Sequence, residues 1–378
     1  FGMFFNVDDT KTKRLFGAKI IPARGSWLEF ETDTNDAMFV KIDRKRKISV
    51  TSLIRVFAAF EKKGSTEKDI LKMFEGDAEA TRYIENSIKK DSAHDLDSSY
   101  VEIYKRLRDG EVVAPVHARE FVESLFMSVE RYDLSEIGRI RFNNRFGFSV
   151  PKKFADKDQI INLQDLVTIV KHVVKLNTVP GSQPDDIDNL GSRRLRFFDE
   201  MVAQKYRLGI LQMKRNIQDR MSISDSETTD PSSFVNPRPL QARVKEFFNT
   251  NQLCQFMGQD NVLTELENLR TVSALGPGGL VRERAGFEVR DVHPSHYGRL
   301  CPIQTPEGQN IGLILRMSAY AQVNRFGIIE TPYAIVEKGK VTDKIAYLDA
   351  YAEEDANIAH SAAEVDKNGK FTRSEEHT

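Results

Sequence analysis

The run from Ser273 to Gly312, SALGPGGLVRERAGFEVRDVHPSHYGRLCPIQTPEGQNIG, carries glycine, proline, arginine and acid too densely for any long helix or strand. A chain that contains it must hold a long irregular segment in place with regular elements from elsewhere. Gly276, Gly278 and Gly279 supply positions where the backbone can turn left-handed or approach another group closely, and Pro277 stiffens the turn between them. Arg282, Arg284, Arg290 and Arg299 follow, beside Glu283, Glu288 and Asp291, acids placed to hold some of the guanidinium groups in fixed orientations. Either an ion-pair network or a bound polyanion satisfies so much charge, and composition leaves both open.

Periodicity elsewhere supplies the regular elements. Phe1–Phe5 reads as strand, and Lys19–Ile48 alternates apolar and polar around Ile21, Trp27, Leu28, Phe30, Phe39, Val40 and Ile42, predicting short strands joined by a turn at Asp33–Asp36. Leu163, Leu166, Val167, Val170, Val173 and Val174 keep helical spacing and predict one buried helix face, a core stripe with no cofactor implied. Phe198–Met221 is helical and basic, Ser222–Pro239 reads as a loop or domain junction, and a helix over Gln241–Phe256 leads into the irregular run. From Ala319 onward the pattern is that of hairpins. The expected fold class is therefore mixed α/β and multi-domain, with short antiparallel sheets and helices; 378 residues predict two or three modules.

A net charge of -1 hides basic stretches at Lys41–Lys47, Arg193–Arg220 and Arg270–Arg299 and an acidic one at Asp343–Asp366. A basic face on a neutral chain is enough to neutralise phosphates, although each basic run taken alone also reads as a solvated face. Cys254 and Cys301 form no CxxC pair or disulfide framework, which fits a reducing cytoplasm. His293 and His296 lie near Cys301, but Pro294 interrupts them and no second cysteine is close, so no metal is expected there. No apolar run is long enough for a bilayer, no signal peptide is visible, and no GxxxxGK[ST], GxSxG or HExxH motif occurs.

The irregular run resembles the fork region of the beta subunit of bacterial DNA-directed RNA polymerase. Further colinear matches are ARGSWLEFE at Ala23–Glu31, VKIDRKRKI at Val40–Ile48, RYDLSEIGR at Arg131–Arg139, DDIDNLGSRRLR at Asp185–Arg196 and VKEFFNTNQLCQFMGQDN at Val244–Asn261. The resemblance covers nearly the whole chain, more poorly from about Lys62 to Asp97. It implies a lobe over residues 1–201 with a shortened inserted second lobe (about 60–105), the second half of the protrusion with the fork over 202–326, and the start of the external region over 327–372. Residues 373–378, RSEEHT, back-translate as AGA TCG GAA GAG CAC ACG, the opening of a common sequencing adapter, and are expected to be an artefact. The abrupt Phe1 start and this tail lead us to expect an internal fragment, inactive alone.

For function, the resemblance implies DNA-templated RNA synthesis from ribonucleoside triphosphates in a bacterial, cytoplasmic, nucleoid-associated complex. Its partners would be the beta-prime, alpha and omega subunits, a sigma factor, template and non-template DNA strands and nascent RNA, with no membrane. No catalytic residue, metal or cofactor is expected in this chain, since Mg2+ is held in the family through beta-prime; the acidic cluster Asp185, Asp186 and Asp188 tempts a metal reading, but the resemblance gives Asp188 another task. Trp27, Ile187, Asp188, Arg193, Leu280 and Val289 match residues contacting the non-template strand: an indole can stack on an unpaired base, a carboxylate can accept from a guanine edge, and a guanidinium can anchor a phosphate or base. Without the resemblance, a sole tryptophan reads as a core anchor. Gln255, Arg282 and Asn310 match residues lining the RNA–DNA hybrid, and Gly279, Arg282, Arg284 and Gly286 the fork loop. Arg284 and Arg290 retain the alternative of simple pairing with Glu283, Glu288 or Asp291.

The same wall forms the rifamycin pocket of the family. Matching positions are Gln255, Phe256, Gly258, Asn268, Thr271, Ser273, Leu275, Pro306, Glu307, Asn310 and Ile314. Three depart from the pattern: Gly258, Asn268 and Thr271 stand where aspartate, histidine and arginine are usual, which predicts rifamycin resistance. A second reading is a free-standing nucleic-acid-binding or transcription-factor-docking module, which stop codons just outside both ends would favour.

Overall fold

The computed structural model describes residues 2–9, 13–108, 113–151, 153–223, 230–360, 362–367 and 369–372. The adapter-like tail lies outside them. Two units, Phe1–Asp185 and Asp186–Thr378, divide the chain, and both mix helices with short antiparallel sheets as the sequence predicts.

In the first unit, β1 (Gly2–Asp9), β2 (Arg14–Ile21), β3 (Leu28–Thr32), β4 (Met38–Ile42) and β5 (Ile48–Ser49) form an antiparallel meander in sequence order. The predicted turn lies between β3 and β4: the Asp33 N–H donates to Ala37 O at 2.8 Å, and Asp36 adopts φ 55°. Strand β4 alternates buried and half-buried residues, as a one-faced sheet requires.

The helices α1 (Val50–Phe60), α2 (Glu67–Lys72), α3 (Ala78–Lys90), α4 (Leu96–Leu107), α5 (Pro115–Phe126), α6 (Ser135–Phe146), α7 (Asp156–Gln159) and α8 (Leu163–Thr178) complete this unit. Side chains of Thr66, Asp77 and Asp95 cap α2, α3 and α4 by accepting the Asp69, Ala80 and Ser98 N–H groups. One core runs from Phe5 through Leu28, Phe57 and Phe126 to Val174, and Ile70, Phe74, Tyr83 and Tyr100 of the 60–105 segment share it.

Because α1 is buried from Val50 to Ala58, its polar side chains find partners inside: Asp91 accepts from Thr51 at 2.5 Å and Ser52 at 2.9 Å, and Arg55 Nη1 donates to Ala93 O at 2.7 Å, while its Nε and Nη2 have no hydrogen-bond partner among the described residues. Helix α8 buries the expected stripe with one adjustment. Ile169 is fully buried and Val167 only half-buried, because the face is centred one residue away from the predicted line. The bidentate pair of Arg139 with Asp165, at 2.8 and 2.9 Å, fixes the start of α8 against α6.

In the second unit, α9 (Phe198–Ile223) crosses α10 (Arg238–Thr250) at Gly209, where a Cβ would lie 2.9 Å from Leu240 Cδ1 and 3.0 Å from its Cα. The predicted helix over Gln241–Phe256 is thus displaced. It starts earlier because Pro239 sits in the first turn, where a missing N–H leaves no bond unmade. It ends at Thr250 because Asn251 is extended (ψ 129°) and its side chain takes the Leu253 N–H at 2.9 Å. Gln255 and Phe256 therefore lie on irregular chain. The short α11 (Val262–Leu269) follows, capped by Asn261.

The irregular run is suspended between β6 (Thr271–Ser273) and β7 (Ile314–Arg316), which pair antiparallel. Its only helical pieces among the described residues are single 3-10 turns at Arg282–Arg284, Glu288–Arg290 and Pro294–His296. β8 (Gln322–Val323), β9 (Ile329–Glu337) and β10 (Lys340–Leu348) form the predicted hairpin sheet, followed by α12 (Ala350–Glu354). Leu190, Leu300, Ala321, Ile329 and Ala350 make the small core of this unit.

Candidate nucleic-acid interface

Trp27 stands just before β3 and is absent from the buried core; it is half-buried at the end of the sheet's central strand. Asp43, at the end of the β4 hairpin arm, fixes its backbone twice: Trp27 N–H donates to Asp43 Oδ1 at 2.7 Å, and Asp43 N–H to Trp27 O at 2.9 Å. One ring face meets the Arg44 guanidinium, 4.6 Å from the ring centroid. The core-anchor alternative for this tryptophan is thus not what the structure shows.

In the second unit, the loop carrying Asp186, Ile187 and Asp188 is built on buried Asn189, Leu190 and Gly191. Leu190 N–H donates to Ser295 Oγ at 3.0 Å, and a Cβ on Gly191 would lie 2.5 Å from the Tyr351 ring, so only glycine lets the loop pass. His293 braces it, with Nε2 at 2.7 Å from Asp186 Oδ2 and Nδ1 at 2.7 Å from Ser295 Oγ. Partial burial works against the Asp186 carboxylate, yet the Asp188 N–H and His293 outweigh it and hold its pKa below the ordinary value. Ile187 is left exposed, and Asp188 Oδ1 takes a charged bond from Arg193 at 2.6 Å. His296, buried beneath them, is pushed down to about 4 by that burial and by the charges of His293 and Arg193, so it is neutral near pH 7.

The fork is shaped by its glycines. Gly276 and Gly278 adopt φ 108° and 76°, and a Cβ on Gly279 would lie 2.4 Å from Ala274 O. Leu275, Gly279, Leu280 and Arg282 line a cavity of about 470 Å³ with Lys205 and Asn251. Arg282 donates to Gln309 Oε1 at 2.9 Å, next to half-buried Asn310, whose Oδ1 is buried without a partner among the described residues. Arg282 and Asn310 are therefore brought close along the chain through Gln309. Gln255 is not tied to them by any hydrogen bond among the described residues; its amide turns back to Gln252 O at 3.4 Å.

The expected acid partners of the arginines are not the ones used. Arg290 donates to the Gln309 and Ile311 carbonyls, each at 2.8 Å, and Arg299 is fully buried against Leu348 O at 2.9 Å and Glu353 at 2.5 Å. Among the described residues, no ion pair joins Glu283, Glu288 or Asp291 to Arg282, Arg284 or Arg290. Carbonyls exposed by an irregular backbone need donors, and arginine supplies several from one side chain. Arg284, Glu288 and Gly286 stay exposed, while Val289 is half-buried in its 3-10 turn. Gln309 and Arg196, which donates to Pro277 O at 3.1 Å, and the bracing role of His293 escape the sequence reading because no local pattern marks a bond between residues far apart in the chain.

Of the rifamycin-pocket positions, Ser273 and Ile314 pair across β6 and β7. Gly258 lies against α11: a Cβ there would come within 2.7 Å of Thr264 Cγ2 and 3.5 Å of Asn268 Nδ2. Thr271 turns its hydroxyl to Glu267 O at 2.9 Å. Phe256, Pro306 and Glu307 are exposed.

Comparison with known proteins agrees with this architecture. Residues 3–196 match the family profile RNA polymerase Rpb2, domain 2, residues 255–323 match RNA polymerase Rpb2, domain 3, and residues 333–376 match the RNA polymerase beta subunit external 1 domain. The chain belongs to the RNA polymerase beta-subunit family. It is 42% identical over 371 residues to the DNA-directed RNA polymerase subunit beta of Gloeobacter violaceus, 42% over 386 residues to that of Leifsonia xyli subsp. xyli, and 43% over 373 residues to that of Syntrophomonas wolfei subsp. wolfei. Each alignment takes in 98% of this chain and 32% of the relative, so the beta-subunit chain spans about a third of the length of these curated relatives.

The acidic cluster of this beta-subunit chain does not fit a metal ion. Asp185 is held bidentately by Arg145 at 2.7 and 2.6 Å, Asp186 by His293 and Asp188 by Arg193, so each carboxylate already faces its own nitrogen donor. Among the described residues no group of three His, Cys, Asp or Glu is placed to hold a metal, and no helix is long and apolar enough to cross a membrane.

Proposed function

We propose that this chain is the lobe, second half of the protrusion, fork and start of the external region of the beta subunit of a DNA-directed RNA polymerase, and that it serves as a nucleic-acid wall. The carrying observation is the fork: Arg282 held by Gln309 beside an Asn310 oxygen that lacks a partner, on a backbone that only its glycines permit. The exposed Arg282 guanidinium suits phosphate and ribose oxygens without selecting a base, as processive synthesis requires. Mg2+ held by a beta-prime partner would supply the metal chemistry of nucleotidyl transfer. This chain's part is to position strands: Trp27 stacks an unpaired base of the non-template strand, and Asp188, oriented by Arg193, accepts from a guanine edge. Ile187, Leu280 and Val289 give apolar contact there, Gln255, Arg282 and Asn310 face the hybrid, and the loop Gly279–Gly286 lies at the fork of the downstream duplex. Alpha, omega and sigma complete the assembly, and the chain alone is inactive.

The test is to co-express the full reading frame with its beta-prime, alpha and omega subunits and assay templated RNA synthesis. Asp188→Ala should retain synthesis and lose preference for guanine in the displaced strand by about 1–3 kcal/mol. An unchanged preference removes the Asp188 assignment, and a correctly assembled complex without synthesis favours the free-standing binding module.

A further inference from the structure

The turn that touches Trp27 breaks a local rule. Asp43 and Arg44 both lie in the left-handed region, at φ 51° and 59°, and Lys45 N–H closes the turn on Ile42 O at 3.0 Å. Two successive left-handed residues ordinarily call for Asn-Gly or Asp-Gly, and a long side chain at the second place is disfavoured. Strain of this kind persists where the surroundings hold it and tends to mark function. Here the two Trp27–Asp43 hydrogen bonds hold it, and the result is that Arg44 is delivered over the indole. The Arg44 side chain is 71% exposed, and its nearest acid, Glu29, is 3.9 Å from Nε, too long for a hydrogen bond. Lys45, Arg46 and Lys47 follow, all exposed.

We propose that Arg44 is a displaceable cap on Trp27 and a binding residue for a single-stranded nucleotide. In the free protein its guanidinium covers the ring face. When an unpaired base arrives, the base takes that face and Arg44 moves to the adjoining phosphate, joining the cationic turn. The exchange is favourable because base stacking on an aromatic ring outweighs an exposed cation–π contact, and the cation gains an anion by leaving. A glycine would suit the backbone better, so arginine at this place answers to the ligand. The inference rests on Trp27 being a base platform, and the experiment separates the two claims.

Trp27 is the sole tryptophan of the 378-residue chain, so its emission reports this corner alone. The chain is titrated with oligothymidylate of about a dozen nucleotides and with an abasic strand of the same length, at several salt concentrations. Arg44→Gly suits the left-handed backbone and should melt no lower than the wild type; Arg44→Gln, which keeps length without charge, is the second variant. Without DNA, acrylamide should reach Trp27 more readily in Arg44→Gly. Oligothymidylate should quench the wild type and both variants, the abasic strand none of them. The variants should bind about three- to tenfold more weakly, with the slope of log K against log salt shallower by about 0.7. Base-dependent quenching with equal affinity and equal slope in wild type and variants overturns the role of Arg44 and leaves the Trp27 platform standing. Absence of base-dependent quenching in the wild type overturns both.

Discussion

The two units differ in what lies inside them. The first closes a single core around a five-stranded sheet and the buried helix α1, whose Thr51, Ser52 and Arg55 are hydrogen-bonded inside it. The second buries five apolar residues in its core cluster, while α9 buries only Gly209 and α11 no residue at all. Val262, Leu263, Leu266 and Leu269 of α11 are exposed, as are Phe256, Phe287, Ile303 and Tyr320. Apolar residues massed at the surface mark a contact face. The lesson is that regular periodicity builds a body that holds itself, whereas the irregular run depends on charge, glycine and surfaces yet to be covered.

The largest expected effect follows directly. Residues 1–185 expressed alone should melt cooperatively, and residues 186–378 alone should bind a hydrophobic dye and melt without a sharp transition. Calorimetry of the two halves decides it; a cooperative transition from the second half breaks the comparison.

Drug response sharpens the same contrast at the fork. Gly258, Asn268 and Thr271 lack the charged or ring side chains that the family pattern provides, and a lost charged hydrogen bond is worth about 1.5–3 kcal/mol. The assembled polymerase should therefore synthesise RNA at rifampicin concentrations at least about tenfold above those that stop a sensitive enzyme. Gly258→Asp alone should restore little, because its Cβ would meet Thr264 Cγ2 at 2.7 Å, and turning that methyl away would disturb the Thr264 hydroxyl bonded to Asn261. Sensitive synthesis by the unaltered enzyme would refute the pocket argument without touching the polymerase reading.

A smaller effect is expected from pH. His296 is held neutral, down to about 4 from the ordinary 6.5, by burial first and then by the charges of His293 and Arg193, with Asp188 opposing. A lowered histidine pKa stabilises the fold above pH 6.5, and that stability is lost as pH falls from about 6.5 towards 4. Protection factors at Asn189–Arg193, which are corrected for the intrinsic slowing of amide exchange towards acid, should fall over that window, and His296→Gln should flatten the dependence. Protection factors that stay constant in the unaltered chain would show that His296 does not couple to this loop.

Legibility followed the same division. The meander and the α8 stripe are legible because alternation and helical spacing are local properties; only the centre of the stripe is displaced, towards Ile169 and away from Val167. The end of α10 was misplaced because Asn251 stops the helix by bonding Leu253, a choice the apolar spacing through Phe256 does not reveal. At the site, the resemblance names residues but not the partners of Arg282 and Arg290, and the alternative of pairing Arg290 with a nearby acid is not what the fold uses. Their actual acceptors are Gln309 and backbone carbonyls some twenty residues away, which only the folded chain brings near.

The smallest effect tests whether the second unit holds itself locally at least along one helix pair. Gly209→Ala gains about 1 kcal/mol of helix propensity in α9. Against this, the new Cβ would lie 3.0 Å from Leu240 Cα and 2.9 Å from its Cδ1. The methyl end of Leu240 can rotate away, but its Cα belongs to the backbone of α10 and moves only with the helix. Overpacking of that kind costs about 1–3 kcal/mol, so the net change should be a loss of about 1 kcal/mol. Because few other contacts bury α9, the loss should appear as faster amide exchange in α9 and α10 with the first unit unaffected. A gain in stability would mean that the two helices separate freely, and that the second unit is looser still than its small core implies.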